Sequence, residues 1–430
     1  MLSVSVLWCP MSDLPTGLLC LPAPGDATVR RLQHKVRLIA LRALLQASAH
    51  GIGPRAGASL QHLQAVIQSM VRAHKSVVLD AVGAPDVLNP LLVMATGMRA
   101  PEPILLRVVP ALLCALSVHS RRVPEAVLWE ADVDVLPCAP GGWRLALEPS
   151  AKALLLDPTG LTIELHDGVR VRVPEEAELA HSSMAFSHPF HEILGGAGGL
   201  RLSLHDSNPL AMEEAHPDKS GNAVTLGSAS ADQWVQALKE AVDIIGLALP
   251  TWRDEMSSSL CRILPVGVEP EMHLSASYRE APEVIYMTLH PDPLTMAEAI
   301  IHETQHSKCN LLSWLDPVLH NAYTTWTDSP VRPDLRPLMG VLLAVHAFTP
   351  VAALHLRLAE LDHPLSRTQK FADRRKQVLA GNAGGLKVVQ EQAKPSASGA
   401  KLIEGLVALH EHVAGKASDS QWAKDALPPG

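Results

Sequence analysis

The chain has 430 residues, 47% of them hydrophobic, enough to bury at least one large core; this excludes a disordered segment, a disulfide-stapled mini-protein and a fibre. Thirty-six Lys and Arg against 44 Asp and Glu leave a net charge of −8 spread along the chain, so a nucleic-acid-binding role, which needs a basic footprint, is disfavoured. Six cysteines without a CxxC pair point to reduced thiols in a cytoplasm rather than a disulfide framework or a structural zinc site.

No basic residue precedes Arg30, so the apolar start Leu2–Trp8 is not expected to be a secretory signal. Asp26 caps a helix in which Val29, Leu32, Val36 and Ile39 recur at three and four residues. Further apolar helical patterns, broken by Gly51–Gly57 and by the prolines near 90–103, run to about Val118 and predict a helical N-terminal part over 1–125. From about Ala126 the period shortens to two. Leu161, Ile163 and Leu165 alternate with polar residues, and His166-Asp167-Gly168 turns the chain into Val169, Val171 and Val173. With the turn Asp157-Pro158-Thr159-Gly160 ahead of it, this predicts a small antiparallel sheet in a β-rich region, 126–225.

Ser230 and Gln233 form a capping box opening a helix to about Leu247, and strands are expected around Leu260–Val268 and Glu283–Leu289. Thr295 and Glu298 make a second capping-box pattern, ahead of a helix reaching about Leu315. Helices follow at Leu338–Leu361, Ser366–Leu379 and Lys401–Val413, with Asn382–Ala400 read as a Gly- and Ser-bearing linker. The apolar run Met339–Leu358 is interrupted by His346, Pro350 and His355, which predicts a buried helix and no membrane span. The expected fold class is α+β, mainly helical. Its catalytic part, 226–381, is expected to be zincin-like, an HExxH helix beside a small antiparallel sheet, with a linker and C-terminal helix over 382–430.

Chemistry concentrates in His302-Glu303-Thr304-Gln305-His306, an HExxH. On a helix, positions four apart share a face, so two imidazoles can grip one divalent metal while Glu303 points at what the metal binds. Three polar side chains left unpaired in so apolar a helix would cost roughly 1–3 kcal/mol each, which favours a metal site over a polar cluster or an exposed helix face. A third ligand is needed, and His346, 40 residues on in the apolar run Leu342–Phe348, is the leading candidate ahead of His320, His355 and Glu360. The metzincin continuation HxxGxxH is absent. Between motif and third ligand, the Pro-rich loop carries Arg332 and Arg336, which can clamp a carboxylate bidentately or pair with the loop's own aspartates in solvent. His181, His188 and His191 with Glu192 lack helical spacing and read as loop residues, and His410 and His412 read as surface. The run Glu283–Leu289 before the motif reads either as an edge strand that an extended peptide can join or as a core strand.

The run Met296–Lys308, followed by Arg332-Pro333-Asp334-Leu335-Arg336-Pro337-Leu338 and Gly340–Phe348, resembles the HExxH-motif proteins of peptide natural-product clusters, best from about Leu260 to Leu361 and more weakly over Leu202–Pro209. That resemblance implies an iron(II)- and 2-oxoglutarate-dependent enzyme that hydroxylates the β-carbon of side chains in a ribosomally made precursor peptide. It further implies that His302, His306 and His346 hold iron, and that Arg332 or Arg336 anchors the far carboxylate of 2-oxoglutarate. A set of three histidines departs from the usual two-His-one-carboxylate arrangement of such oxygenases. Spacing alone equally permits a zinc metallopeptidase in which Glu303 is the general base, and a non-catalytic peptide-binding partner is the third reading.

Overall fold

Helix and strand alternate along the chain much as the hydrophobic periods dictate, giving an α+β fold that is 54% helical, with ten α-helices among the described residues. The structure, a computed structural model, describes residues 15–138, 142–173, 186–195, 199–213, 215–216, 219–328 and 334–415. The apolar start Leu2–Trp8, His181 and Arg332 lie outside these. The chain divides into two units; one comprises residues up to Gln33, Glu192–Leu202 and everything from Thr225, the other His34–His191 and Ser203–Val224.

In the second unit, α1 (Thr28–Gln46) enters from the first, and α2 (Pro54–Val82), α3 (Pro85–Thr96) and α4 (Pro101–Ser117) each open on a proline, whose fixed φ suits a first helical turn. Gly51 and Gly53, at φ 92° and 82°, make the turn before α2, so the break expected over 51–57 ends at Gly53. Pro90 lies inside α3 rather than breaking it. Six strands form an antiparallel sheet: β1 (Val127–Trp129), β2 (Val133–Cys138), β3 (Trp143–Asp157), β4 (Gly160–Leu165), β5 (Arg170–Arg172) and β6 (Phe186–Ser187). The long β3 pairs with β1, β2, β4 and β6, and the β4–β5 hairpin turns where the alternation predicted. Because α4 packs on β2 and α2 on β1, helices and sheet share one core, and the boundary expected at 125/126 runs inside a single unit.

The chain passes between units at β7 (Phe190–Glu192) and β8 (Arg201–Ser203), and β9 (Ala215–His216) pairs with β10 (Lys219–Ser220). The first unit then builds α5 (Ala231–Ala248), whose Ser230–Gln233 capping box is fully formed, α6 (Pro250–Ser259), β11 (Arg262–Val268), β12 (Ser275–Tyr278), β13 (Ala281–Leu289) and α7 (Pro293–Ser313). After the hairpin β14 (Trp326–Asp328) and β15 (Leu335–Pro337) come α8 (Leu338–Glu360), α9 (Gln369–Gln392) and α10 (Ala397–Val413). The sheet here is mixed, in the order β12-β13-β11-β8: β8, β11 and β13 run parallel, and β12 is antiparallel on β13. β13 is therefore an internal strand buried along nearly its whole length, which overturns the edge-strand reading of Glu283–Leu289; the edge is β12.

Two further expectations are corrected, and the first is the surface reading of His410, which is 7% exposed on α10. The linker expected over Asn382–Ala400 is helical to Gln392, because Asn382, Gly385, Leu386 and Val389 are buried and Asn382 Nδ2 donates to the Phe348 carbonyl at 3.0 Å. The last helix also meets the first described residues: a Cβ added to Gly405 would lie 2.6 Å from the Gly17 carbonyl oxygen, so only glycine allows this backbone approach. α8 is the single helix among the described residues long and apolar enough to cross a membrane, and 78% of its most apolar window is buried inside the protein.

Candidate metal centre

α7 begins where Asp292 Oδ1 accepts the Leu294 N–H at 2.9 Å and Pro293 takes the first helical position. Thr295 is thus inside the helix, and the second capping box does not form. Glu298 instead turns inward, its Oε1 2.7 Å from His355 Nε2 and its Oε2 accepting from Arg374 Nε and Nη2 at 2.8 and 2.7 Å. The helix packs on β12 and β13 on one side and on α5 and α8 on another. Its C-terminus is held by Trp314, whose indole N–H donates to the Arg279 carbonyl at 2.8 Å under the Arg279 guanidinium, 4.3 Å from the ring centre.

One turn past Glu298, the His302 and His306 side chains converge. Their Nε2 atoms are 2.9 Å apart, and their rings meet edge to face with centroids 4.4 Å apart. Two nitrogens about 2.0–2.1 Å from one metal, subtending about 90–109°, stand about 2.9–3.4 Å apart, so the pair already has the bite a divalent ion needs. Glu303 completes the only group of three potential metal donors among the described residues, its donor atom within 4.8 Å of both imidazoles. Both rings are half-buried, whereas Glu303 is 3% exposed.

The carboxylate of Glu303 is asymmetric. Ser275 Oγ, on edge strand β12, donates to Oε1 at 2.7 Å, while Oε2 is buried without a hydrogen-bond partner. An unpaired buried carboxylate oxygen costs free energy that a metal, a water or a substrate proton would recover. His306 Nδ1 is in the same position. Burial lowers the His306 pKa, with the Glu303 charge opposing it, which leaves a neutral imidazole able to offer a lone pair.

His346 stands outside that group of three. It is fully buried on α8, its Nδ1 lies 3.3 Å from Cys309 Sγ, and its Nε2 has no hydrogen-bond partner. Burial, with Lys308 and His306 adding to it, lowers its pKa to about 3, so the ring is neutral. The Leu19 and Gln305 carbonyls oppose that lowering, and if Nδ1 carries the proton and donates to the Cys309 sulfur, Nε2 keeps the lone pair. Cys309 itself is pushed up to about 12 by burial and stays a thiol. Of the other candidates, His355 is committed to Glu298, and Glu360 to Arg357. Arg336 lies on β15, its Nε 2.9 Å from Asp334 Oδ2, so the half of the arginine pair that is described sits in a partly exposed local ion pair. His188 and His191 join no donor group among the described residues.

The spacing of the motif reveals neither Ser275 nor Gln305. Gln305 is fully buried; its Nε2 donates to the Leu19 and Cys20 carbonyls at 3.0 and 3.1 Å, and its Oε1 accepts the Trp252 indole N–H at 3.2 Å. Beside it, Lys308 is buried in an ion pair with Glu255 and lies 5.3 Å from the centre of the Trp252 ring. Burial raises the Glu255 pKa against the pull of that lysine. Such a pair cannot be found from sequence, since its partners are far apart along the chain. No protein-family model matches this chain, and no curated protein matches it in sequence.

Proposed function

We propose that this protein is a metal-dependent enzyme that modifies a ribosomally made precursor peptide by iron(II)- and 2-oxoglutarate-dependent β-hydroxylation of a side chain. The observation that carries the metal assignment is the 2.9 Å approach of the His302 and His306 Nε2 atoms beside the buried, half-satisfied Glu303. The reaction class rests on the family resemblance of Met296–Lys308 and Gly340–Phe348. Iron(II) bound with a keto acid would supply, with dioxygen as co-reactant, an oxidant able to functionalise an unactivated carbon, one oxygen atom ending in the new hydroxyl and the other in the succinate left when 2-oxoglutarate loses CO2.

In this reading His302 and His306 hold the ion, and His346, which lies outside their donor group, has to move into reach to supply the third nitrogen. Ser275 fixes Glu303 by one oxygen, so the other is free to orient a polar group at the metal. Arg332 or Arg336 holds the far carboxylate of the keto acid; for Arg336 that means exchanging Asp334 for the ligand. Edge strand β12 offers backbone groups to an extended peptide, whose chain would then run past Ser275 and Glu303.

A zinc metallopeptidase is the second reading, and the free Oε2 of Glu303 favours it, because a general base needs an uncommitted oxygen. Metal analysis after anaerobic purification, followed by incubation in air with 2-oxoglutarate and a short precursor peptide encoded beside the gene, separates the readings. Iron and a product heavier by one oxygen support the hydroxylase. Zinc and a shortened peptide replace it with the hydrolase, and neither metal nor product leaves a peptide-binding partner.

A further inference from the structure

The metal helix is held from behind by a residue on a helix that carries none of the donor atoms. Arg374, on α9, places Nε and Nη2 on the same oxygen of Glu298, at 2.8 and 2.7 Å. Its guanidinium also lies 5.6 Å from the centre of the Phe348 ring on α8. Phe348 in turn packs against the His302 imidazole, ring centroids 4.6 Å apart. Glu298 is one helical turn before His302, so Arg374 reaches the same histidine twice, once through the backbone of α7 and once through an aromatic ring. The remaining oxygen of Glu298 takes His355, whose ring is fully buried and stacks edge-on against Phe371 of α9.

We propose that Arg374 is a positioning residue for the metal centre, fixing the ring orientation of His302 by clamping Glu298 and covering Phe348. The inference rests on His302 and His306 binding a divalent ion. An arginine suits both tasks, since a planar guanidinium can donate two hydrogen bonds in its plane while its face lies on a ring. Lysine can replace the charge but not the paired donors that Nε and Nη2 place on Glu298. Partners that orient ligating histidines typically matter 10–100-fold in metal affinity.

The test is titration of the full-length protein with cobalt(II), reading dissociation constant and visible absorption spectrum together, with circular dichroism as the check on folding. Arg374→Met is expected to bind cobalt about 10–100-fold more weakly and with a shifted spectrum, and Arg374→Lys to recover only part of both. The nearby exposed Lys376→Met should match the unaltered protein. Should Arg374→Met fail to fold, Phe348→Leu keeps the apolar filling and removes the ring edge, and its spectrum must shift. A normal spectrum and affinity in folded Arg374→Met, or in Phe348→Leu, overturns the inference alone. Failure of the unaltered protein to bind cobalt overturns the metal assignment first, and this inference with it.

Discussion

Two carboxylates on adjacent turns of α7 have opposite fates. Glu298 and Glu303 are both nearly buried, at 7% and 3% exposure. At Glu298 every oxygen is engaged, one by His355 and one by Arg374. At Glu303 one oxygen is engaged by Ser275 and the other by nothing. A folded chain satisfies buried polar groups where it can, so the first carboxylate holds helices together, while the second, half-satisfied, is the one the proposed function draws on.

That contrast breaks most severely at the imidazoles. His306→Ala is expected to weaken cobalt binding by more than about 100-fold, beyond what the loss of an outer partner causes, and to abolish activity; cobalt titration and a turnover assay check it. Next comes Glu303→Gln, expected to cost about 10²–10⁴-fold in rate if the protein is a peptidase and less than tenfold if it is a hydroxylase, measured on the same precursor peptide. Its stability should stay within about 1 kcal/mol, because the amide keeps the shape of the side chain and its oxygen can still accept from Ser275.

Glu298→Gln should do the reverse. Activity aside, it is expected to destabilise the fold by about 2 kcal/mol in denaturant unfolding, discounted from a fully buried pair because Arg374 is partly exposed. Burial raises the Glu298 pKa, but His355 and Arg374 outweigh it and bring the carboxyl below its ordinary 4.5. A depressed carboxyl stabilises the fold above its unfolded value and loses that contribution as pH falls through the folded one. The gap between the unaltered protein and Glu298→Gln should therefore be full above about pH 5 and close on acidification below about pH 4.5. A gap independent of pH would remove the ionised pair from the explanation. The smallest effect is expected for Ser275→Ala, about 1 kcal/mol in stability and a few-fold in rate, read from unfolding and turnover of the same preparation.

What the sequence makes legible is whatever local spacing encodes. The Ser230–Gln233 cap, the β4–β5 hairpin and the two histidines four apart are all contained within one turn or one hairpin. The partners of Glu298 and Glu303 are not, since Ser275, His355 and Arg374 reach them across a strand and two other helices. The same limit misplaced α9: Asn382, Gly384 and Gly385 have the composition of a linker, but buried contacts with α8 outweigh their weak helix propensity. Asp292-Pro293 was the better sign of where α7 starts, and Thr295-Glu298 only imitates a cap because Glu298 is needed elsewhere.

The backbone approach of Gly17 to Gly405 sets an order on biosynthesis. The carbonyls of Leu19 and Cys20 satisfy the glutamine inside the histidine motif, and their own segment is seated against α10. A ribosome must therefore have passed the codon for Gly405 before that motif can be fully enclosed, so a nascent chain released early would carry both histidines in an unfinished setting.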